Sequence, residues 1–229
     1  MTYPQGDPRD QLTHLGRALV GAGLIVGSGG NLSARAPGAD ECWVTSAGSW
    51  LDRLDQPGWA ERPEEAPLSR VRIADGAVLG GHPRPSSEVL LHLAAYRARP
   101  DVNAVVHTHP QMSVLLTALG HRIALVTTDH AFYVREVRTV PFRRPGTTVL
   151  AEDAAEAIAD GVNCVVLAHH GCSVVAGTVE MAHRRVVNLE EAARLTHAAL
   201  LTGIDPADVP GCPEEFLAGL GDTAADGGV

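Results

Sequence analysis

Two apolar runs in this sequence each end on histidine. In AVVHTHP (104–110) the histidines are His107 and His109, two residues apart. On a strand, side chains at i and i+2 point to one face, so both imidazoles can reach a single ion. In CVVLAHHG (164–171) the run ends on His169 and His170 before a glycine turn. Successive strand residues face opposite ways, so at most one of these two can join the first pair. Three imidazoles from two buried strands leave a fourth corner open, which is the catalytic rather than the structural arrangement for zinc. A His-x-His pair alone is common; a second strand of the same design makes it a candidate site. Strand ends are also where open α/β sheets place ligands.

A carboxylate for such a site stands in RPSSE (84–88), where Glu88 opens a helical pattern. There it can complement the helix dipole, worth about 0.3–1 kcal/mol, or stand beside a metal as a general base. Ser86 and Ser87 can cap that helix, or can offer hydroxyls and backbone N–H groups to a phosphate. The remaining histidines (His14, His82, His92, His121, His130, His183 and His197) have no such context and read as surface or helix-face residues. Lysine is absent: all 18 basic residues are arginine. Arginine does not deprotonate near neutral pH, so a Schiff-base aldolase, a pyridoxal-phosphate enzyme and a Walker-type phosphate loop are all excluded. If this chain makes or breaks carbon–carbon bonds, a metal must take up the electron pair.

The elements around these residues alternate between helical and strand-like patterns. Residues 9–24 repeat leucine on one side of an amphipathic helix that ends at Gly21–Gly23. GSGGNLSARA (27–36) reads as a glycine-rich turn opening into a strand, and CWVTSAG (42–48) as a strand followed by a loop. Residues 51–69 read as an exposed connection, and VRIADGAVL (71–79) as a hairpin about Asp75-Gly76. A helix from Ser86 is stopped by Pro100, with Val89, Leu90, Leu93 and Tyr96 or Arg97 on its apolar face. Strands are expected at 103–110, 123–128 and 163–171, and helices at 111–119 and 150–159. Thr178 should cap a long helix through about 202. The segment after 202 has too few large apolar residues to fold alone and should fray. Mixed elements of these lengths suggest a sheet covered by helices.

Composition sets the outer limits. A chain of 229 residues with 45% hydrophobic content can bury one core. Its net charge of −9 disfavours nucleic acid and anionic membrane as partners. No apolar run approaches the roughly 20 residues that span a bilayer, and the first ten residues have no signal-peptide pattern. Cys42, Cys164, Cys172 and Cys212 form no C-x-x-C pair and read as free thiols in a reducing cytoplasm.

Taken in order, GGNLSAR, TSAG, PSSE, HTH and HHG resemble the class II aldolase/adducin family, over about residues 10 to 202. The resemblance implies a single-domain α/β fold, an αβα sandwich around a mixed, largely antiparallel sheet, with 203–229 as a partly flexible tail. It implies one zinc per subunit on His107, His109 and His170, replaceable by manganese or cobalt, with Glu88 as the catalytic acid–base residue. Substrate phosphate would be held at Gly30, Asn31, Ala47, Gly48, Ser86 and Ser87. It also implies a homotetramer with interfacial active sites.

Within the family the motifs are most similar to aldolases acting on L-fuculose 1-phosphate or 5-deoxypentulose 1-phosphates. These cleave a ketose 1-phosphate to dihydroxyacetone phosphate and an aldehyde. Two features depart from that branch. TSAG has Ala47 where a hydroxyl contacts phosphate, and no tyrosine follows residue 202 to serve as the C-terminal proton donor. Tyr133, in TTDHAFYV, is the candidate donor from a neighbouring subunit; its alternative role is packing beside Phe132. Related 4-epimerases carry aspartate in place of Glu88, and related dehydratases use a glutamate in the segment that here reads VTTDHAFY. A decarboxylase of phosphorylated oxo acids stays open. A non-catalytic adducin-like scaffold would be expected to have lost the histidines.

Overall fold

A computed structural model describes residues 3–55 and 62–220. Helix α1 (Pro8–Gly21) starts where Asp7 accepts a hydrogen bond from the Arg9 amide at 2.9 Å, with Pro8 in the first turn. Strands β1 (Asn31–Ala34), β2 (Glu41–Thr45), β3 (Leu68–Arg72) and β4 (Val78–Gly81) follow. Next come α2 (Val89–Ala98), β5 (Ala104–Thr108), α3 (Gln111–Ala118), α4 (Thr128–Tyr133) and β6 (Val137–Val140). The chain continues through α5 (Thr148–Ile158), β7 (Cys164–Leu167), β8 (Gly171–Ala176), α6 (Val179–Leu200) and α7 (Glu214–Gly219). Thr178 caps α6 through the Met181 amide at 3.1 Å, as its sequence suggested.

The strands form one sheet in the order β4-β3-β2-β1-β5-β8-β7-β6. Every described pairing is antiparallel except β6 with β7. Strand alternation sorts the core into two layers. Ala104 and Val106 pack with Leu12, Leu15 and Leu189 from α1 and α6; Val105 packs with Leu93 and Leu150 from α2 and α5. The result is the mixed, largely antiparallel αβα sandwich that the resemblance implied. The same alternation puts His107 and His109 on the face of Val105, beneath α2.

Several local expectations need correction. Residues 123–128 form no strand. The Ala124 amide bonds to Thr196 Oγ1 at 2.9 Å, and the Leu125 carbonyl accepts the Cys212 amide at 2.7 Å, so α6 and the tail take the bonds a strand would use. Strands β6 and β8 were not foreseen. Of the expected exposed connection 51–69, Leu51, Leu54, Ala66 and Leu68 are buried, while 56–61 lie outside the described residues. In α2 the buried face is Leu91, His92, Leu93, Ala95 and Tyr96; Val89 and Leu90 are half-buried and Arg97 is exposed. The tail to residue 220 docks through buried Val209 and Cys212, and 221–229 lie outside the described residues. All four cysteines are free and buried.

Candidate metal centre

Strand β5 lies inside the sheet, hydrogen-bonded to β1 on one side and β8 on the other. That fixes its end on both flanks, and His107 and His109 come from there. His170 arrives differently. It sits in the tight turn between β7 and β8, where its amide bonds to the Leu167 carbonyl at 3.0 Å and Leu167 pairs with Gly171. Turn geometry, rather than strand alternation, separates the two candidates. His169 takes a left-handed φ of 60° and points its exposed ring toward Phe142, while His170 turns inward. Glu88, only 7% exposed, is the N-cap residue of α2.

These four side chains converge. His107 Nε2 lies 3.0 Å from His109 Nε2 and 3.1 Å from Glu88 Oε2; His170 Nε2 lies 3.3 Å from Glu88 Oε1. Donor atoms of all four fall within 4.8 Å of one another. Ligands about 2.0–2.1 Å from a tetrahedral zinc stand roughly 3.3–3.4 Å apart, so the spacings match the edges of such a site. His107 donates its Nδ1–H to the Cys172 carbonyl at 2.9 Å, which aims its Nε2 at the cluster. Three imidazole nitrogens and a carboxylate converging at this range need a positive charge between them, from a proton or a metal, and the set fits a divalent metal. The fourth corner, expected to be open, is faced by Glu88.

Glycine makes the approach possible. A Cβ at Gly171 would lie 2.4 Å from the Thr108 carbonyl oxygen and 2.6 Å from His109 Cδ2. At Gly30, whose φ is +77°, it would lie 2.7 Å from the His107 carbonyl oxygen. The start of α3 is clamped as well: Glu190 of α6 accepts from the Met112 and Ser113 amides at 2.9 and 3.0 Å. That secures the backbone just beyond His109.

The local electrostatics favour neutral His109 and His170 beside an ionised Glu88. Burial, then repulsion from His107 and His170, pushes His109 down to about 4; burial and the charge of His107 also lower His170. Burial alone would raise the Glu88 carboxyl. The hydrogen bond and charge of His107, with His170 and the Asn31 amide, outweigh it and bring the pKa down to about 2. Metal binding requires these protonation states.

The remaining candidates sort into two places. The TSAG loop lies against the RPSS segment. Ser46 bridges Pro85, the Ala47 amide bonds to the Arg84 carbonyl at 3.1 Å, and the Ser86 amide bonds to the Thr45 carbonyl at 2.9 Å. Ala47, Gly48 and Ser87 are exposed there, whereas Ser86 is buried and accepts from the Glu88 amide at 3.2 Å. Asn31 is buried with its amide turned to Glu88 Oε2 at 3.1 Å. Tyr133 stands apart from the four converging groups, on α4. It packs edge-on against Phe132 and accepts a hydrogen bond from Arg184 at 2.9 Å. Arg184 donates, so the phenol keeps its own proton for another acceptor.

Three of the histidines read as surface or helix-face residues are buried: His82, His92 and His130. His92 matters most here, because its ring bonds to Asn31, next to Glu88. The signal was available: Glu88 and His92 are four residues apart, hence on one helical face.

The sequence matches the family model for the class II aldolase and adducin N-terminal domain over residues 10–197. It is 31% identical to a 5-deoxy-D-ribulose 1-phosphate aldolase of Bacillus thuringiensis, over 92% of this chain and 93% of that one. It is 36% identical to a 3-oxo-tetronate 4-phosphate decarboxylase of Escherichia coli, over 82% of this chain and 84% of that one. The fold superposes on a solved L-fuculose 1-phosphate aldolase with a TM-score of 0.80, at 26% identity, covering 96% and 97% of the two chains.

Proposed function

The chain belongs to the class II aldolase and adducin family, and from that membership we propose that it is a zinc-dependent lyase that reversibly cleaves a ketose 1-phosphate. The substrate would be of the L-fuculose or 5-deoxypentulose type, and the products dihydroxyacetone phosphate and an aldehyde. The observation that carries this reading is the Glu88–His107–His109–His170 cluster. His107, His109 and His170 would hold one zinc per subunit, with manganese or cobalt as replacements. The metal supplies Lewis acidity toward the ketose oxygens. An adducin-like scaffold without catalysis would have no use for four converging donors at this spacing.

Cleavage breaks the bond between the two halves of the ketose and leaves the electron pair on the carbon next to the carbonyl. In synthesis the ionised Glu88 would remove a proton from this carbon; in cleavage the protonated Glu88 would return it and be left ionised. The hydroxyl proton lost as the aldehyde forms is restored in synthesis by a donor, for which Tyr133 of a neighbouring subunit is proposed. Its free O–H, held by Arg184, supports that role. The exposed rim of Ala47, Gly48 and Ser87, with Gly30, Asn31 and Ser86 behind it, would receive the phosphate through hydroxyls and amides. Completion of the site by Tyr133 requires an oligomer, and a homotetramer with interfacial active sites is proposed. No described helix is long and apolar enough to cross a membrane, and the enzyme is proposed to act in the cytoplasm.

The likeness to the decarboxylase favours a second reading, in which carbon dioxide rather than an aldehyde leaves the same carbon. The test is to incubate zinc-loaded protein with dihydroxyacetone phosphate and single aldehydes, acetaldehyde and lactaldehyde first. Phosphorylated product from wild type, absent in Glu88→Ala and His109→Ala, supports the aldolase. No product with any aldehyde despite bound zinc, together with carbon dioxide release from a phosphorylated 3-oxo acid, would replace it with the decarboxylase.

A further inference from the structure

Behind Glu88 runs a chain of buried polar groups. Tyr96 OH lies 2.7 Å from Ser33 Oγ, and Ser33 Oγ lies 2.7 Å from His92 Nδ1. His92 Nε2 lies 2.5 Å from Asn31 Oδ1, and Asn31 Nδ2 donates to Glu88 Oε2 at 3.1 Å. His92 and Ser33 are fully buried, Tyr96 is 2% exposed and Asn31 6%. The described hydrogen bonds of the Tyr96, Ser33 and His92 side chains run along this chain and not to the three histidines or the exposed rim.

Donor and acceptor arithmetic allows one polarity. The Asn31 NH₂ donates to Glu88 Oε2, so its carbonyl faces His92. The Asn31 carbonyl only accepts, so His92 must carry its proton on Nε2. Its bare Nδ1 then accepts from Ser33, whose oxygen accepts from Tyr96. Burial, then the charge of His107, drives His92 down to about 3, so the ring is neutral and a single tautomer satisfies every contact.

We infer that His92 is a positioning residue for the proposed reaction: through Asn31 it fixes which way the amide faces and so holds the Glu88 carboxylate in one rotamer toward the reacting carbon. Asn31 then works from behind Glu88, with both ends of its side-chain amide committed. Apolar replacement of His92 leaves the Asn31 amide free to flip, and its flipped form sets a carbonyl oxygen against the carboxylate. The inference rests on Glu88 moving a proton, but the polarity of the chain can be checked without any activity.

Two measurements test it. The first is the ¹⁵N ring spectrum of His92 in the zinc-loaded wild type, assigned by comparison with His92→Gln. A neutral ring protonated on Nε2 is expected; a ring protonated on Nδ1, or charged at neutral pH, overturns the inference. The second compares His92→Leu with His92→Gln, whose amide can still donate to Asn31. His92→Leu should lose about 10- to 100-fold in kcat, with KM and bound zinc within about twofold of wild type, and His92→Gln should recover most of that loss. An unchanged kcat in His92→Leu, or a His92→Gln no better than it, overturns the inference. If His92→Leu does not fold, the ring spectrum decides. If the wild type is inert on every ketose phosphate, the aldolase reading fails and the spectrum still decides the chain.

Discussion

The end of β5 and the flank formed by residues 121–140 lie in one domain and are built on opposite principles. At the end of β5, His107 stands on backbone paired on both sides, is approached closely by Gly30 and Gly171, and donates to the buried Cys172 carbonyl. On the flank the chain runs irregularly from 121 to 126, turns through the short α4 and ends in an edge strand. Tyr133 there is partly exposed and held by the surface residue Arg184. A metal needs donors fixed to within tenths of an ångström, which a central strand provides; an aldehyde donor has to admit different substrates, which a flank allows. The proposed chemistry divides in the same way: bond breaking at β5 and substrate choice on the flank.

The largest expected effect falls on the rigid side. His107→Ala and His109→Ala should lose both bound metal and activity, measured by metal analysis alongside turnover, because three imidazoles cannot be reduced to two without opening the site. Either variant keeping full metal with full activity would break the contrast. Tyr133→Phe should leave metal content intact and slow aldol turnover about 100-fold, with the factor differing between acetaldehyde and lactaldehyde. An equal loss with both aldehydes would remove the flank from substrate choice.

Acid should act on the buried side first. His92 and His109 are neutral in the fold down to about 3 and about 4, against 6.5 when unfolded. Between those values the unfolded chain binds protons that the folded one does not, so stability is present above about 6.5 and falls as the pH drops. Each such proton is worth about 1.4 kcal/mol per pH unit. Urea unfolding of metal-free protein between pH 7 and 5 should show this slope, and His92→Gln should shallow it by about one proton. The smallest effect is at the exposed rim. Ala47→Ser restores a hydroxyl to TSAG and should lower KM for the phosphorylated substrate severalfold, the worth of about 1 kcal/mol in one hydrogen bond.

How much was legible follows the same division. Period-two alternation placed His107 and His109 on one face, and apolar runs marked β5 and β7 as interior strands. The choice of His170 over His169 rested on resemblance alone, because a left-handed turn residue leaves no strand pattern to read. His92 was missed because a histidine on an apolar helix face looks like filler until Asn31, 61 residues away in sequence, is brought beside it. The strand expected at 123–128 failed because its hydrogen-bond partners, Thr196 and Cys212, lie about a third of the chain away. Local pattern cannot carry contacts of that separation.

The central claim is that Glu88, beside a metal on three histidines, moves a proton at the carbon next to a ketone. That step needs no aldehyde and can be watched alone. Metal-loaded protein in D₂O with dihydroxyacetone phosphate, followed by proton NMR, should exchange one hydrogen of the hydroxymethyl carbon for deuterium. Glu88→Gln, checked for metal content, should exchange it at least about 100-fold more slowly. No exchange by the metal-loaded wild type, or equal exchange by Glu88→Gln, would contradict the account.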